Sequence, residues 1–232
     1  MQVLYEDNHI LAVNKRAGEI VQADKTRDIP PSGMVADYLR EKYSKPGNVF
    51  VGVVHRLDRP VSGVVLFART SKALVRLNET FRSRENIRKT YWAIVCGRPR
   101  EPEMLLEHWI QKNERQNKSY VVRPDAKGAQ QARLYYRTMV CGLNYTLLEV
   151  TLLTGRHHQI RCQLAAIGCP IRGDLKYGAR RSNPDAGISL HARQISFVHP
   201  VSKENITIVA PVPDNDSLWQ SLAGQMIGEQ NL

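Results

Sequence analysis

The chain has 232 residues, enough for one large domain or two small ones, with 42% hydrophobic residues and four cysteines. This is the composition of a globular protein and sets aside disordered tails and disulfide-stapled secreted modules. Lys and Arg number 33 against 22 Asp and Glu, a formal charge of +11; the excess is spread along the chain rather than gathered on one amphipathic helix, so nucleic acid is the expected partner and a membrane surface is not.

No apolar run approaches the roughly 18 residues of a spanning helix, and the start MQVLYEDNHI carries acidic residues in place of a leader-like stretch. A cytoplasmic location is the expectation. Cys96, Cys141, Cys162 and Cys169 show no C-x-x-C spacing and read as reduced core thiols rather than metal ligands.

In chain order, Val3 to Tyr5 and Ile10 to Asn14 read as two strands joined by the turn Glu6-Asp7-Asn8. Residues 19–32 are polar with Pro30-Pro31 and predict a loop, and 33–43 predict a helix with Val35, Tyr38 and Leu39 on one face, stopped by Pro46-Gly47. Two β-branched runs then follow, Val49 to Val54 and Val64 to Phe67, both expected as buried strands, with the polar insert His55 to Gly63 held between them. Asp58 lies in that insert between Arg56 and Arg59, and two nearby cations favour an ionised carboxylate. A stiff turn presenting an anion suits a nucleophile; a surface turn with a local ion pair fits the same residues. Thr70 or Ser71 can cap a helix with Leu74, Leu77 and Phe81 on one face; the other face is basic, Arg76, Arg82, Arg84, Arg88 and Lys89 coming in quick succession as either a solvated face or a phosphate-tracking stripe.

Tyr91 to Val95, Leu105 to Ile110, Ser119 to Val122, Ala132 to Val140 and Tyr145 to Leu153 read as strands of an antiparallel meander. The stretch from Thr154 to Gly178 predicts a helix capped by Thr154 and ended by Gly168 and Pro170, with Arg156, His157, His158 and Arg161 in its first turns. Cations there oppose the helix dipole and call for an anion, either a phosphate or a carboxylate of the protein. Adjacent histidines on a helix point about 100° apart, which argues against a metal pair at His157 and His158. Two more strands, 188–198 and 205–210, precede a last helix capped by Asp214 or Asp216, with Leu218, Leu222 and Met226 facing inward. Few helices scattered among many strands predict an α+β fold with a mixed or antiparallel sheet. The sequence lacks the phosphate-loop, dinucleotide, zinc-protease and serine-hydrolase motifs, so those chemistries lose their usual support.

His55-Arg56-Leu57-Asp58-Arg59-Pro60-Val61-Ser62-Gly63 resembles the H-R-L-D-x-x-T-S-G signature of the RluA-type RNA pseudouridine synthases. The likeness continues through Val3 to Asp7 with Val13 to Gly18, Arg88-Lys89-Thr90-Tyr91 with Val95-Cys96-Gly97, Thr154 to Arg161 with Gly173-Asp174 and Tyr177-Gly178, and Leu190-His191-Ala192 with Phe197, His199-Pro200 and Ala210-Pro211. Val61, Arg16 and Gln163 depart from it, standing where Thr, Pro and His are usual.

The resemblance implies a pseudouridine synthase fold, a mainly antiparallel sheet with flanking helices and a central RNA-binding cleft. It further implies one catalytic domain over residues 1–232 with no separate amino-terminal RNA-binding domain, acting as a monomer. Asp58 would be the catalytic nucleophile, Tyr91 the aromatic against the target base, and Arg161 the ion-pair partner of Asp58. Arg56 would help evict the target nucleotide, and Arg59, Lys89, Arg156, His157 and His158 complete the expected RNA contacts. The implied reaction isomerises uridine in structured rRNA or tRNA by base flipping and uses no metal or other cofactor. The competing expectation is an RNA-binding or RNA-folding protein without chemistry, which gives no reason for an anion in a cationic site. A nucleoside-cleaving enzyme is a third, and predicts a pair of carboxylates.

Overall fold

The computed structural model describes residues 1–21, 31–83 and 86–229. Most of the expected 19–32 loop, Arg84, and the side chain of Met226 lie outside the described residues. In chain order the elements are β1 (Gln2–Glu6), β2 (Ile10–Lys15), α1 (Pro31–Lys42), β3 (Gly52–Val53), β4 (Ser62–Ala68), α2 (Ser71–Ser83), β5 (Ile87–Cys96), β6 (Glu103–Asn113), β7 (Lys118–Val122), β8 (Gln130–Cys141), β9 (Tyr145–Leu152), α3 (Gln159–Ala166), a 3-10 turn (Leu175–Tyr177), β10 (Leu190–Val198), β11 (Asn205–Val209) and α4 (Ser217–Glu229). They form two compact units, one of Met1–Lys89 with Ala192–Pro211, the other of Thr90–His191 with Val212–Leu232.

In the first unit the strands run β1-β2-β4-β10, with β11 on β10 and β3 on β4. Asp7 builds the β1–β2 turn by accepting the backbone N–H groups of His9 and Ile10 at 2.7 and 2.8 Å. All of β4 is buried because both sheet faces are covered, which is why it reads as an unbroken apolar run. Ile10, Ala12, Val64 and Leu66 pack with Ala73 and Leu77 of α2, while Leu11, Val13, Val65 and Phe67 pack with Val35 and Leu39 of α1. Each fully buried Leu or Phe contributes about 1.5–3 kcal/mol. Thr70 is the cap of α2, its hydroxyl accepting the N–H of Ala73 at 3.1 Å.

The expected strand at Val49 to Val54 is much shorter than its apolar run: only Gly52 and Val53 pair, with Ala68 and Phe67 of β4. Val49 and Val51 lie against the Leu11–Phe67 cluster by apolar contact, as does Val53 in addition to its pairing, so burial holds more of the run than the short ladder does.

The second unit orders its strands β5-β9-β8-β6-β7. The named pairings β5–β9, β9–β8, β8–β6 and β6–β7 are all antiparallel. A simple meander is not formed, since β5 pairs with β9 rather than with its successor β6, and β6 lies between β7 and β8. On one face Trp92, Ile94, Val140 and Leu147 cover Trp219 and Leu222 of α4; Ile110 and Ala132 pack with Cys162 and Tyr177 in a separate cluster. Asp216 caps α4, accepting the N–H of Leu218 at 3.0 Å. Trp219, outside the expected apolar stripe of that helix, is its buried anchor.

Candidate functional site

Of the residues singled out in the sequence, Arg56, Asp58, Arg59 and Lys89 belong to the first unit, and Tyr91, Arg156, His157, His158 and Arg161 to the second.

Asp58 opens the turn that leads into β4, closed by a bond from the N–H of Val61 to its carbonyl at 3.0 Å. The turn is fastened from below by Lys15 of β2, which is 1% exposed and donates to the carbonyls of Arg16, Arg59 and Val61 at 3.0, 3.0 and 2.6 Å. The Arg59 carbonyl also accepts the N–H of Gly18 at 2.9 Å, and the Arg59 guanidinium returns to the Gly18 carbonyl at 3.0 Å. Burial pushes the Lys15 ammonium down to about 8, while the charges of Glu19 and Asp58 hold it up. A cation that Asp58 feels is therefore a buried lysine from another strand, a role that sequence proximity to Arg56 and Arg59 did not reveal. Gly63 has φ +114°, and a Cβ there would come within 2.3 Å of the Ala192 carbonyl oxygen, so only glycine allows β10 to approach the end of the turn.

His55 stands one face of this motif in place. Its Nε2 accepts the N–H of Leu66 at 3.1 Å, its ring stacks on Phe81 at 5.1 Å, and the Lys89 ammonium lies over the other partner of that stack, 4.3 Å from the Phe81 ring centre. Burial, reinforced by the Lys89 charge, pushes the imidazole down to about 3, so it is neutral with its proton on Nδ1. Arg56 and Arg59 are exposed and Asp58 is half-buried.

In the second unit Arg161 is 5% exposed and grips Asp174, itself 1% exposed. The contact is two-pronged, Nε to Oδ2 at 2.7 Å and Nη2 to Oδ1 at 2.8 Å, the geometry that a guanidinium and a carboxylate share best. The Tyr177 ring lies 5.1 Å from the guanidinium carbon. Tyr177 also ties in its surroundings: its oxygen accepts the Ser119 N–H at 2.8 Å and its O–H faces Nδ1 of His158 at 3.0 Å. Burial pushes the phenol up to about 12 and His158, also under the charge of Arg161, down to about 2, which makes the phenol the donor and the imidazole the acceptor. Gly173 is required beside Asp174, because a Cβ there would meet the Asn183 side chain at 2.6 Å.

The helix start differs from expectation. It begins at Gln159 rather than at Thr154, with His158 at φ 51° as its cap. The reason is the Gln159 side chain, whose Oε1 accepts from Thr154 Oγ1 at 2.7 Å and from the Arg156 N–H at 3.0 Å while its amide donates to the Arg133 carbonyl at 3.0 Å. These bonds fold 154–158 as a loop. His157 and His158, outside the helix, therefore stack at 3.8 Å rather than diverge. His157 lies between Ser119 Oγ at 2.9 Å and Asn117 Oδ1 at 3.0 Å. His158 is a buried, neutral strut, so it offers no charge to RNA. Arg156 is half-buried and donates to the Gln131 carbonyl at 3.1 Å. Tyr91 is half-buried on β5, opposite Val150 of β9, on the face away from Trp92.

Residues 9–166 match the model of the RNA pseudouridylate synthase family, a stretch that carries Asp58, Tyr91 and Arg161. This chain belongs to that family. A curated RNA pseudouridine synthase of Synechocystis sp., itself uncharacterized, is 33% identical over 219 residues, covering 92% of this chain and 66% of the relative. Ribosomal large subunit pseudouridine synthase C of Buchnera aphidicola (subsp. Baizongia pistaciae) is 33% identical over 218 residues, 90% of this chain and 66% of that one. The chain thus spans about two thirds of the length of these curated relatives. The solved structure of human RNA pseudouridylate synthase domain containing 4 shares the fold, with a TM-score of 0.79 over 95% of this chain and 92% of that one at 23% identity. The α+β synthase fold expected from the motifs is the one observed.

Residues within the family's motifs hold other motif residues in place. Lys15 fastens the Asp58 turn, and Asp174 with Tyr177 fixes Arg161.

Proposed function

We propose that the chain isomerises uridine to pseudouridine within a structured RNA, ribosomal RNA being the class named for its relatives. In this reaction the C1′–N1 bond of the nucleotide breaks, the base turns, C5 bonds to C1′, and the hydrogen lost from C5 is balanced by one gained at N1. Nothing is oxidised, reduced or hydrolysed. A base inside a helix cannot turn over, so the nucleotide leaves its stack at a cost of about a few kcal/mol, least in loops.

In this reading Asp58 is the catalytic carboxylate. Covalent capture of the ribose carbon and removal of a sugar proton both require it ionised. The stiff turn that Lys15 and Gly63 enforce keeps the carboxylate aimed. Tyr91 lies against the flipped base. Arg161, gripped along one edge by Asp174, keeps in this reading the role of ion-pair partner that the resemblance implies. Arg56, Arg59, Lys89, Arg156 and His157 serve the RNA backbone, with Arg56 assisting eviction of the nucleotide.

The observation that carries the reading is the family match over 9–166, which runs through all three assigned catalytic positions. The test is Asp58→Asn in the full chain on total ribosomal RNA: pseudouridine formation is abolished while RNA affinity stays within about twofold. Retained turnover in this variant removes Asp58 from the chemistry.

A further inference from the structure

A groove of about 440 Å³ opens in the first unit between β3 and α2, lined by Phe50, Val53, His55, Arg56 and Leu74 among others. Its volume lies within the roughly 300–1,000 Å³ of small-ligand pockets. Among the described residues β3 pairs with β4 alone, and both of its residues, Gly52 and Val53, line the groove. Leu74 reaches the opposite wall because residue 52 is glycine; a Cβ there would come within 2.9 Å of the leucine Cδ2.

The lining is graded in a way that fits a nucleotide. Phe50 is 46% exposed, an unusual surplus for a phenyl ring, and offers a flat face. Val51, Val53, Val54 and Leu74 join Phe50 as the apolar part of a lining whose exposed surface is otherwise polar, and His55 adds a neutral ring. Arg56 is exposed and brings the cation. A base stacks on an aromatic side chain irrespective of its identity, and a neighbouring guanidinium takes the phosphate. One cation and no phosphate-cradling loop are too little for a free nucleotide, yet sufficient for one tethered in a chain already held nearby, where the effective concentration is high.

We propose that this groove is a second base-binding site, which takes one unpaired nucleotide of the RNA flanking the target, stacking its base on Phe50 and its phosphate on Arg56. The inference rests on the synthase reading for the word "target", and on the groove alone for the base.

The probe is a single-stranded uridine-containing dodecaribonucleotide, titrated against the full chain in an Asp58→Asn background so that turnover plays no part. Phe50→Ala and the groove-filling Leu74→Trp each weaken binding about tenfold, whereas Phe50→Trp stays within about twofold. Phe50→Trp also reports without loss of binding: its emission, above the baseline of the three native tryptophans, is quenched by the oligomer and not by heparin, a polyanion without bases. Equal affinity in all variants, or no quenching by the oligomer, overturns the proposal; a groove built for a peptide strand would give that result. Pseudouridine formation without quenching refutes the groove and leaves the synthase standing. Quenching without pseudouridine in any RNA upholds the base site and refutes the synthase.

Discussion

Asp174→Asn is the substitution whose consequence follows most directly from the structure. The carboxylate is 1% exposed and its partner Arg161 5% exposed, joined at 2.7 and 2.8 Å. An amide keeps the shape and one acceptor oxygen but turns an N–H toward the guanidinium and removes the countercharge. Arginine cannot shed its proton in response. Breaking a buried pair from one side costs about 3–5 kcal/mol, and at roughly 2–4 °C per kcal/mol for a chain of this size the melting temperature falls by roughly 6–20 °C. The double variant Arg161→Met with Asp174→Leu separates stability from function, since apolar replacement of both members of a buried pair is commonly neutral or stabilising. Thermal melts followed by circular dichroism, together with pseudouridine formation measured well below the melting temperature, give the two readouts. The expected pattern is a destabilised, poorly active single variant and a stable, inactive double variant. A single variant within about 1 kcal/mol of the native chain, or a double variant that recovers activity, refutes the argument that the pair exists to fix Arg161.

Two further predictions concern stability. Lys15→Met leaves the carbonyls of Arg16, Arg59 and Val61 without their buried donor, so the chain loses about 1–3 kcal/mol of stability; an unmoved urea midpoint shows that the lysine does not fasten the turn. His55 is held at about 3 when folded against about 6.5 when unfolded, so the unfolded chain binds the extra proton between those values. Its contribution is complete above pH 6.5 and is lost as pH falls through 3, roughly 4–5 kcal/mol in all at 1.36 kcal/mol per unit. Urea midpoints measured from pH 7 to pH 4 should decline, and His55→Gln should flatten the decline; an unchanged slope in that variant assigns the acid sensitivity elsewhere.

What could be read in the sequence follows how local the determining forces are. β2, β4 and α2 were legible because a covered sheet face and a capped amphipathic helix leave their periodicity in consecutive residues. The run Val49 to Val54 carries the same signal over more residues than pair, because β-branched residues pack against a cluster equally well with or without a ladder. The start of α3 was misread since Thr154 has the chemistry of a cap, while the bonds that decide the matter come from Gln159 and the carbonyl of Arg133 on another strand. Lys15 and Asp174 escaped for a related reason. Each acts on a residue remote in sequence, and nothing in spacing says that a lysine ending β2 holds the Asp58 turn or that Asp174 turns back to Arg161. Asp58 stood out as an anion among cations, but Tyr91 was legible only through its motif; by periodicity it is one more half-buried strand residue.

The central claim is that this chain makes pseudouridine with Asp58. Mapping pseudouridines across total RNA from cells lacking the gene, and from the same cells supplied with the native chain or with Asp58→Asn, tests it most directly. The account predicts at least one modified uridine that disappears with the gene, returns with the native chain and does not return with the variant. An unchanged map, or one restored by Asp58→Asn, contradicts it.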